Sequence, residues 1–165
     1  MFSEILEQHP LGTMLIDAPD LGYPAAEDPA WKGLAPDRRR EIAQLAEMYR
    51  GQPYPMRLAS QFLAFVRAGS RSADEEPYFF RRRKLCVSAL ACCTQENASL
   101  DDVTDGVWCI CEETSWVISA HNVNPIPGAP KPAEYPLPDP ERPYIDLFSA
   151  QTGMILSLVK RMLGQ

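Results

Sequence analysis

Along most of the chain, hydrophobic residues recur every three or four positions, which is the spacing of one face of an α-helix. This pattern predicts five main helices, at about residues 36–50, 56–68, 76–95, 100–115 and 143–163. Gly51 and Gly69 stand where the first two of them end, as is typical of helix C-termini. No strand-like alternation competes with this pattern, so the sequence predicts an all-α fold of consecutive helices joined by turns.

Each helical pattern also predicts which side chains face the core. The expected inward residues are Met56, Leu58, Phe62, Phe65 and Val66 in the second helix, Phe79, Cys86, Leu90 and Cys93 in the third, and Leu100, Val103, Val107, Ile110 and Cys111 in the fourth. The last helix would begin at Pro143 and is apolar on most sides, with Ile145, Phe148, Ile155, Leu158, Val159 and Met162. We therefore expect the last helix to have neighbours on most sides.

Two segments do not follow the helical pattern. The pattern of residues 1–34 predicts an N-terminal arm that consists of a short helix at 2–8 and a proline-containing extended part. This arm has to lie against the rest of the protein. Residues 121–143 contain eight prolines and predict either a long structured loop or a mobile flap. The predicted organisation is thus the arm, 1–34, followed by one helical domain, 35–165, that includes this loop.

Composition narrows the class of partner. The chain has 165 residues, of which 45% are hydrophobic, enough for one domain with a real core. Its formal charge is −6 and its basic residues lie within helical patterns, so we expect neither a nucleic acid nor a membrane as partner. No apolar run approaches the roughly 20 residues that a membrane span requires.

The five cysteines all fall inside predicted helices, and no basic stretch followed by an apolar run marks an export signal. We therefore expect reduced thiols and a cytoplasmic location. The spacing of the cysteines resembles no zinc site, and they are expected to be small buried residues. We expect no metal and no cofactor.

Candidate chemistry is concentrated after the fourth helix. Glu112 and Glu113 would lie in its last turn, where the negative end of the helix dipole opposes them, so at least one of them is expected to have a cationic partner. Arg82 or Arg83, from the preceding helix, could supply it. Such a pair is consistent with a purely structural role or with a place in a binding site.

Trp116, His121 and Asn122 follow within ten residues of Glu113. They fit a sugar-binding platform, in which an indole carries a pyranose ring and polar side chains meet its hydroxyls. They equally fit a core tryptophan and a structural histidine. An indole lining an open cleft beside His121 would favour the first interpretation, and an indole packed inside the protein would favour the second.

A basic run, Arg81, Arg82, Arg83 and Lys84, spreads around its helix, because four consecutive residues cover about 300°. It is therefore expected to be solvated and ion-paired. Arg71 or Arg82 remains a candidate to contact an anionic ligand.

Taken together, these motifs resemble the N-terminal part of the heparinase II/III-like family, over about residues 36–163. The residues that carry the resemblance are Arg81 to Arg83, Asp102, Asp105 to Glu113, Trp116, Ala120 to Asn122, and Ile145 to Thr152. One departure is Ser119, where the family often has a proline.

The resemblance implies helical hairpins that form part of an (α/α) toroid, in a polysaccharide lyase that cleaves uronic-acid glycans by β-elimination. Trp116, His121 and Asn122 would lie near the sugar, supported by Glu112 and Glu113, with Arg71 as a further contact. It also implies that the family's main catalytic residues come after residue 165, so no catalytic residue is assigned and this chain alone is expected to be inactive.

Two functions follow from the sequence. The first is an acidic oligo- or polysaccharide-binding segment of such a lyase. The second is a noncatalytic helical module that binds a partner, or forms a homo-oligomer, through the apolar last helix.

Overall fold

A computed structural model describes residues 7–8, 22–96, 99–122, 136–139 and 145–164. Over these ranges the protein is all-α, as predicted, and contains no strand. The helices are α1 (Pro36–Tyr49), α2 (Ala59–Ala68), α3 (Ser72–Thr94), α4 (Leu100–Cys111) and α5 (Leu147–Leu163), with short 3-10 turns at Pro29–Gly33 and Ser119–His121.

The central element is α3, which packs against each of the other four α-helices. The core combines side chains of three helices: Leu85, Ala89 and Cys93 of α3, Val103 and Ile110 of α4, and Ile155, Val159 and Met162 of α5. The helix with neighbours on most sides is therefore α3, and the expectation that it would be the last helix is wrong. Hydropathy did not indicate this because several of the buried side chains of α3 are charged.

Helix boundaries move where capping groups act. The second helix begins at Ala59, three residues after the predicted start, and the Gln61 side chain accepts a 2.7 Å hydrogen bond from the Leu58 N–H. The last helix begins at Leu147, because the Asp146 side chain accepts from the Ser149 N–H at 2.7 Å. Pro143, the predicted first residue, lies outside the described residues.

The other two shifted boundaries belong to α3 and α4. Helix α3 starts at Ser72, four residues before the predicted start at residue 76, so Pro77 lies inside the helix near its beginning. Helix α4 ends at Cys111, four residues before the predicted end at residue 115.

Several residues predicted to be inward are on the surface. Met56, Leu58, Leu100, Cys111 and Ile145 are exposed. All five lie outside the helices or at a helix end, so the periodic pattern no longer fixes their direction. In α3, Cys93 is buried as predicted, whereas Phe79, Cys86 and Leu90 are half-buried and the innermost positions are Tyr78, Leu85 and Ala89.

The described part of the arm lies across the end of α5. The Ala26 N–H donates to the Met162 carbonyl at 2.7 Å, and Trp31 packs against the core. The Trp31 indole N–H donates to the Ala25 carbonyl, and residues 29–33 form a 3-10 turn instead of an extended strand. Glu7 and Gln8 are helical; residues 1–6 and 9–21 of the arm, and 123–135 and 140–143 of the proline-rich loop, lie outside the described residues.

All five cysteines lie in α3 or α4 and are free thiols. Cys93 is buried, and burial raises its pKa to about 11. Cys111 is exposed, so the expectation of a buried residue is wrong there. No group of three or more potential metal ligands occurs among the described residues.

No helix in the described part of the chain combines the length and the hydrophobicity that a membrane crossing requires.

Candidate functional site

Glu113 is the centre of a buried ion-pair network. Its side chain is 2% exposed and accepts hydrogen bonds from three arginines. Arg82 binds both carboxylate oxygens, at 2.9 and 2.8 Å, Arg81 donates to Oε1 at 3.1 Å, and Arg57 reaches Oε2 at 3.5 Å. The carboxylate is thus held in one orientation, directly after the C-terminus of α4.

Arg57 connects this carboxylate to Asp74 and to the chain that follows α4. It donates to both oxygens of Asp74, at 2.7 and 3.0 Å, and to the carbonyls of Ser115 and Val117, at 2.5 and 2.9 Å. All five N–H groups of the guanidinium are therefore engaged. Asp74 also accepts from the Ser119 N–H at 2.8 Å, so the network fixes the chain from Ser115 to Ser119.

Tyr78 lies between two of the guanidinium groups. The Arg82 guanidinium carbon is 3.3 Å from the centre of the Tyr78 ring and that of Arg57 is 4.9 Å away. The Tyr78 hydroxyl is within hydrogen-bond distance of the Trp116 carbonyl, at 2.9 Å, and of Thr152 Oγ1, also at 2.9 Å. Burial raises the pKa of this hydroxyl, so it stays protonated at neutral pH.

The network carries more positive than negative groups. Its members are Arg57, Arg81, Arg82, Asp74 and Glu113, three guanidiniums against two carboxylates. Buried charges of this kind are tolerated only when they are paired and hydrogen-bonded.

A cleft of about 500 Å³ opens beside the network. Arg57, Arg81, Glu112 and Glu113 contribute its polar lining. Arg81 is 8% exposed and donates from Nε to the Pro55 carbonyl and from Nη1 to Cys109 and Glu113. Its other terminal nitrogen, Nη2, has no hydrogen-bond partner among the described residues, so two N–H groups of a cleft-lining guanidinium are left for a ligand.

Apolar side chains also line the cleft. They include Met56, Leu58, Phe62, Leu137 and Pro138. A lining that combines a guanidinium with apolar side chains suits a ligand that carries both an anionic group and a hydrophobic face.

Tyr54 lines the cleft and is held by α4. Its hydroxyl donates to the Asp102 carbonyl at 2.8 Å, and the Lys84 ammonium lies 4.5 Å from its ring centre. Burial, with the nearby charge of Asp102, raises the pKa of Tyr54 above its usual range. Tyr54, like Tyr78, is therefore a hydrogen-bond donor at neutral pH and no base.

Of the residues predicted from the sequence, Glu112 and Glu113 line the cleft. The predicted pairing of one of them with Arg82 is confirmed for Glu113. Glu112 is exposed at the rim.

Trp116 is half-buried and packs against the core, and its indole N–H donates to the Ile110 carbonyl at 2.9 Å. The indole does not contribute to the lining of the cleft that the described residues form. This is the position that the structural interpretation of Trp116 predicted.

His121 contacts the start of α5. His121 Nδ1 is 2.8 Å from Asp146 Oδ2, and its ring stacks on Phe148 with centroids 5.2 Å apart. Asn122 is buried. Arg71 is exposed at the start of α3 and forms an ion pair with Glu75 at 2.6 Å, so none of the three joins Glu112 and Glu113 in the cleft that the described residues form.

The basic run was expected to be solvated and ion-paired: Arg81, Arg82 and Lys84 are ion-paired as expected, but the expectation that they are solvated is wrong. Arg81, Arg82 and Lys84 are buried, at 8%, 4% and 3% exposure, and only Arg83 is exposed. The run surrounds α3 as predicted, but α3 is central, so most directions around it lead into the protein.

Sequence reasoning did not find Arg57 or Asp74. Arg57 falls within the predicted second helix, 56–68, but in the structure it precedes α2, so the helical pattern does not describe its direction. Asp74 lies in the first turn of α3, upstream of the predicted helix start. The available signal was an acidic residue, Asp74, shortly before Pro77, a pattern typical of the first turn of a helix. This signal does not say which residue pairs with Asp74.

Comparison of the chain with protein-family models and with curated proteins finds no match to either.

Proposed function

We propose that this chain binds an acidic oligo- or polysaccharide in the cleft, as the N-terminal toroid segment of a heparinase II/III-like polysaccharide lyase acting on uronic-acid glycans. The observation that carries the binding proposal is the Arg81 guanidinium, whose Nη2 has no hydrogen-bond partner among the described residues and which lines the cleft. A uronate carboxylate is a suitable acceptor for it, because hydrogen bonds between ionised partners are about twice as strong as neutral ones.

The rest of the cleft supports the same class of ligand. Met56, Leu58 and Leu137 offer an apolar surface to the hydrophobic face of a pyranose ring. Glu112, at the rim, can accept hydrogen bonds from sugar hydroxyls. In this proposal Trp116, His121 and Asn122 hold the architecture around the cleft, and Arg71 has no assigned contact to the sugar.

Calorimetric titration of the chain with hyaluronan and alginate hexasaccharides tests the proposal, with maltohexaose as the uncharged comparator. We expect at least one uronate oligosaccharide to bind and maltohexaose to give no heat. Arg81→Gln should lower the affinity about ten- to a hundredfold, since a hydrogen bond to a charged group is worth about 1.5–3 kcal/mol. Arg83→Gln, in the same basic run but exposed, should leave the affinity unchanged.

A second pair of variants avoids the buried network. Ala59 is exposed at the start of α2 and lines the cleft, so Ala59→Phe should fill part of the cleft and reduce binding. Ala68→Phe, exposed at the other end of α2, is the matched control. Equal binding by these two variants, or equal binding of maltohexaose, would overturn the proposal. Ultraviolet absorbance of an unsaturated product measures cleavage separately from binding.

Self-association through α5 is a second candidate function. Ile145, Leu147 and Met154 are 80%, 64% and 55% exposed, and they form a small apolar surface at this helix and its start. Light scattering after size exclusion tests it: Met154→Asp should dissociate a dimer of the wild-type chain, and a wild-type monomer at high concentration would exclude it.

A further inference from the structure

Cys109, on α4, is partly buried and lines the cleft. It lies on the face of α4 that meets Tyr54, because Gly106 precedes it by three residues and a Cβ at Gly106 would lie 2.4 Å from the Tyr54 hydroxyl oxygen. Burial raises the pKa of Tyr54, and the charges of Asp102 and of the Cys109 thiol add to this shift, so the sulfur is near that hydroxyl. Since Tyr54 also lines the cleft, a ligand in the cleft can reach the thiol.

A guanidinium lies next to this cysteine. Arg81 is 8% exposed, and its Nη1 donates to the Cys109 carbonyl at 3.1 Å. Its Nη2 keeps two N–H groups that have no hydrogen-bond partner among the described residues. Of the two carboxylates among the described lining residues, Glu113 is already bound by three arginines and Glu112 is exposed at the rim. An anion that enters the cleft therefore finds hydrogen-bond donors beside the thiol.

The other cysteines differ from Cys109 in reactivity or in position. Burial raises the pKa values of Cys86, Cys92 and Cys93 on α3, which lowers the fraction of reactive thiolate at neutral pH. Cys111 follows Cys109 by two residues, so the two lie about 200° apart around α4. Cys111 is exposed but does not line the cleft that the described residues form. It is thus a thiol on the same helix but outside the cleft.

We propose that Cys109 is a modification site, at which a small disulfide that bears carboxylates, of the class of glutathione disulfide, forms a mixed disulfide with the chain. A carboxylate of the reagent binds the free Nη2 of Arg81, and this holds the sulfur atoms of the reagent near the thiol. Cys109 loses its proton to solvent, and its thiolate attacks one sulfur of the reagent. The S–S bond of the reagent breaks, a new S–S bond to Cys109 forms, and the other half leaves as a thiolate that water protonates.

The cleft has room for the half that stays bound. Its volume of about 500 Å³ falls within the range of small-ligand sites, about 300–1,000 Å³. The modification does not depend on the proposed saccharide binding, because the reagent supplies its own carboxylate.

Reaction of the folded chain with glutathione disulfide at neutral pH, followed by tandem mass spectrometry, tests the proposal. We expect the mixed disulfide to form faster at Cys109 than at Cys111, although Cys111 is the more exposed of the two. Arg81→Gln should slow the reaction at Cys109 about fivefold, which corresponds to about 1 kcal/mol, and should leave the rate at Cys111 unchanged. Arg83→Gln, in the same basic run but exposed, is the matched control and should change neither rate.

Two alkylating reagents of similar size separate attraction by charge from simple access to the thiol. Iodoacetate is an anion and iodoacetamide is neutral, and with both the thiolate attacks carbon and iodide leaves. The ratio of the iodoacetate rate to the iodoacetamide rate should be about fivefold higher at Cys109 than at Cys111, and Arg81→Gln should remove this excess. Ala59→Phe, which fills part of the cleft, should slow both reagents at Cys109 and neither at Cys111.

Equal rate ratios at the two cysteines, or faster formation of the mixed disulfide at Cys111, would overturn the proposal. If Arg81→Gln does not fold, the comparison of the two cysteines in the wild-type chain still decides the question. None of these measurements uses a saccharide. A chain that is modified at Cys109 but binds no uronate therefore refutes only the proposed function, and a chain that binds a uronate but spares Cys109 refutes only the modification.

Discussion

Arg57 and Asp74 form a two-point ion pair, with Nε to Oδ1 at 2.7 Å and Nη2 to Oδ2 at 3.0 Å, around a carboxylate that is fully buried. Arg57 precedes α2 and Asp74 lies in the first turn of α3, so the pair fixes the entry of both helices. Because Arg57 also binds the carbonyls of Ser115 and Val117, one side chain sets the positions of three segments around the cleft. The shape of the cleft therefore depends on charges that lie behind it.

Replacement of the central carboxylate should be costly. Glu113→Gln leaves Arg81 and Arg82 without a carboxylate partner among the described residues, whereas Arg57 keeps Asp74, and breaking a buried ion pair costs about 3–5 kcal/mol. Urea unfolding measures the loss. Glu112→Gln, one residue earlier and exposed, should change the free energy of unfolding by less than about 0.5 kcal/mol, and equal unfolding midpoints for the two variants would contradict the network.

Two helical glycines should respond to alanine in opposite directions. A Cβ at Gly106 would lie 2.4 Å from the Tyr54 hydroxyl oxygen, so Gly106→Ala should displace the ring and destabilise the protein by about 1–3 kcal/mol. A Cβ at Gly153 meets no atom within 4 Å, so Gly153→Ala should stabilise α5 by about 0.5–1 kcal/mol. Thermal unfolding of both variants checks the prediction, and a stabilised Gly106→Ala would refute the Tyr54 contact.

The N-cap of α5 should give the protein part of its acid sensitivity. Burial alone would raise the pKa of Asp146, but hydrogen bonds from Ser149 and His121 outweigh it and the pKa is lowered. A lowered acid pKa adds stability above the unfolded value of about 3.9, and this stability is lost as the pH falls through the folded value. Asn also caps helices well, so Asp146→Asn keeps the cap and removes only the charge. This variant should therefore be less stable than the wild type at pH 7, with a difference that shrinks below about pH 4.

Unfolding in urea at a series of pH values from neutral to acid measures this difference. Ser149→Ala removes the hydroxyl that donates to Asp146 Oδ1 at 2.7 Å, so its stability should depend less on pH than that of the wild type. A constant difference between Asp146→Asn and the wild type at all pH values would contradict the assignment.

The thiols should differ in reactivity. Cys111 is exposed, whereas Cys93 is buried and burial raises its pKa to about 11. At pH 8, iodoacetamide should alkylate Cys111 and spare Cys93, because the thiolate is the reactive form. Mass spectrometry of the labelled chain identifies the sites, with the urea-unfolded chain as the control in which both react; equal rates in the folded chain would refute the prediction.

The hydrophobic periodicity predicted where the helices lie along the chain but not which helix is central in the fold. Helix α1 ends within one residue of its prediction, because it is amphipathic and a glycine follows it. Helix α3 became the centre because Arg82 and Lys84 are buried through partners on α4 and its C-terminal flank. A sequence pattern scores these residues as surface, since it contains no information on distant partners.

The cleft likewise combines features that the sequence predicts with features that it does not. The pairing of Glu113 with Arg82 could be predicted from an electrostatic rule, because an acid at a helix C-terminus needs a cation. The contribution of Arg57 depends on a turn whose direction is set by tertiary contacts. Trp108 is exposed to solvent, whereas the Trp116 indole donates a hydrogen bond to the Ile110 carbonyl. The sequence around the two residues does not distinguish these environments.

The hydrogen bond between Ala26 and Met162 also constrains the order in which the molecule can assemble. It joins the arm to the end of α5, two segments far apart along the chain, and such non-local contacts form slowly because a long loop must close first. The surface that receives the arm is complete only once α3, α4 and α5 have packed. We therefore expect docking of the arm to be a late step, after the helical core has formed.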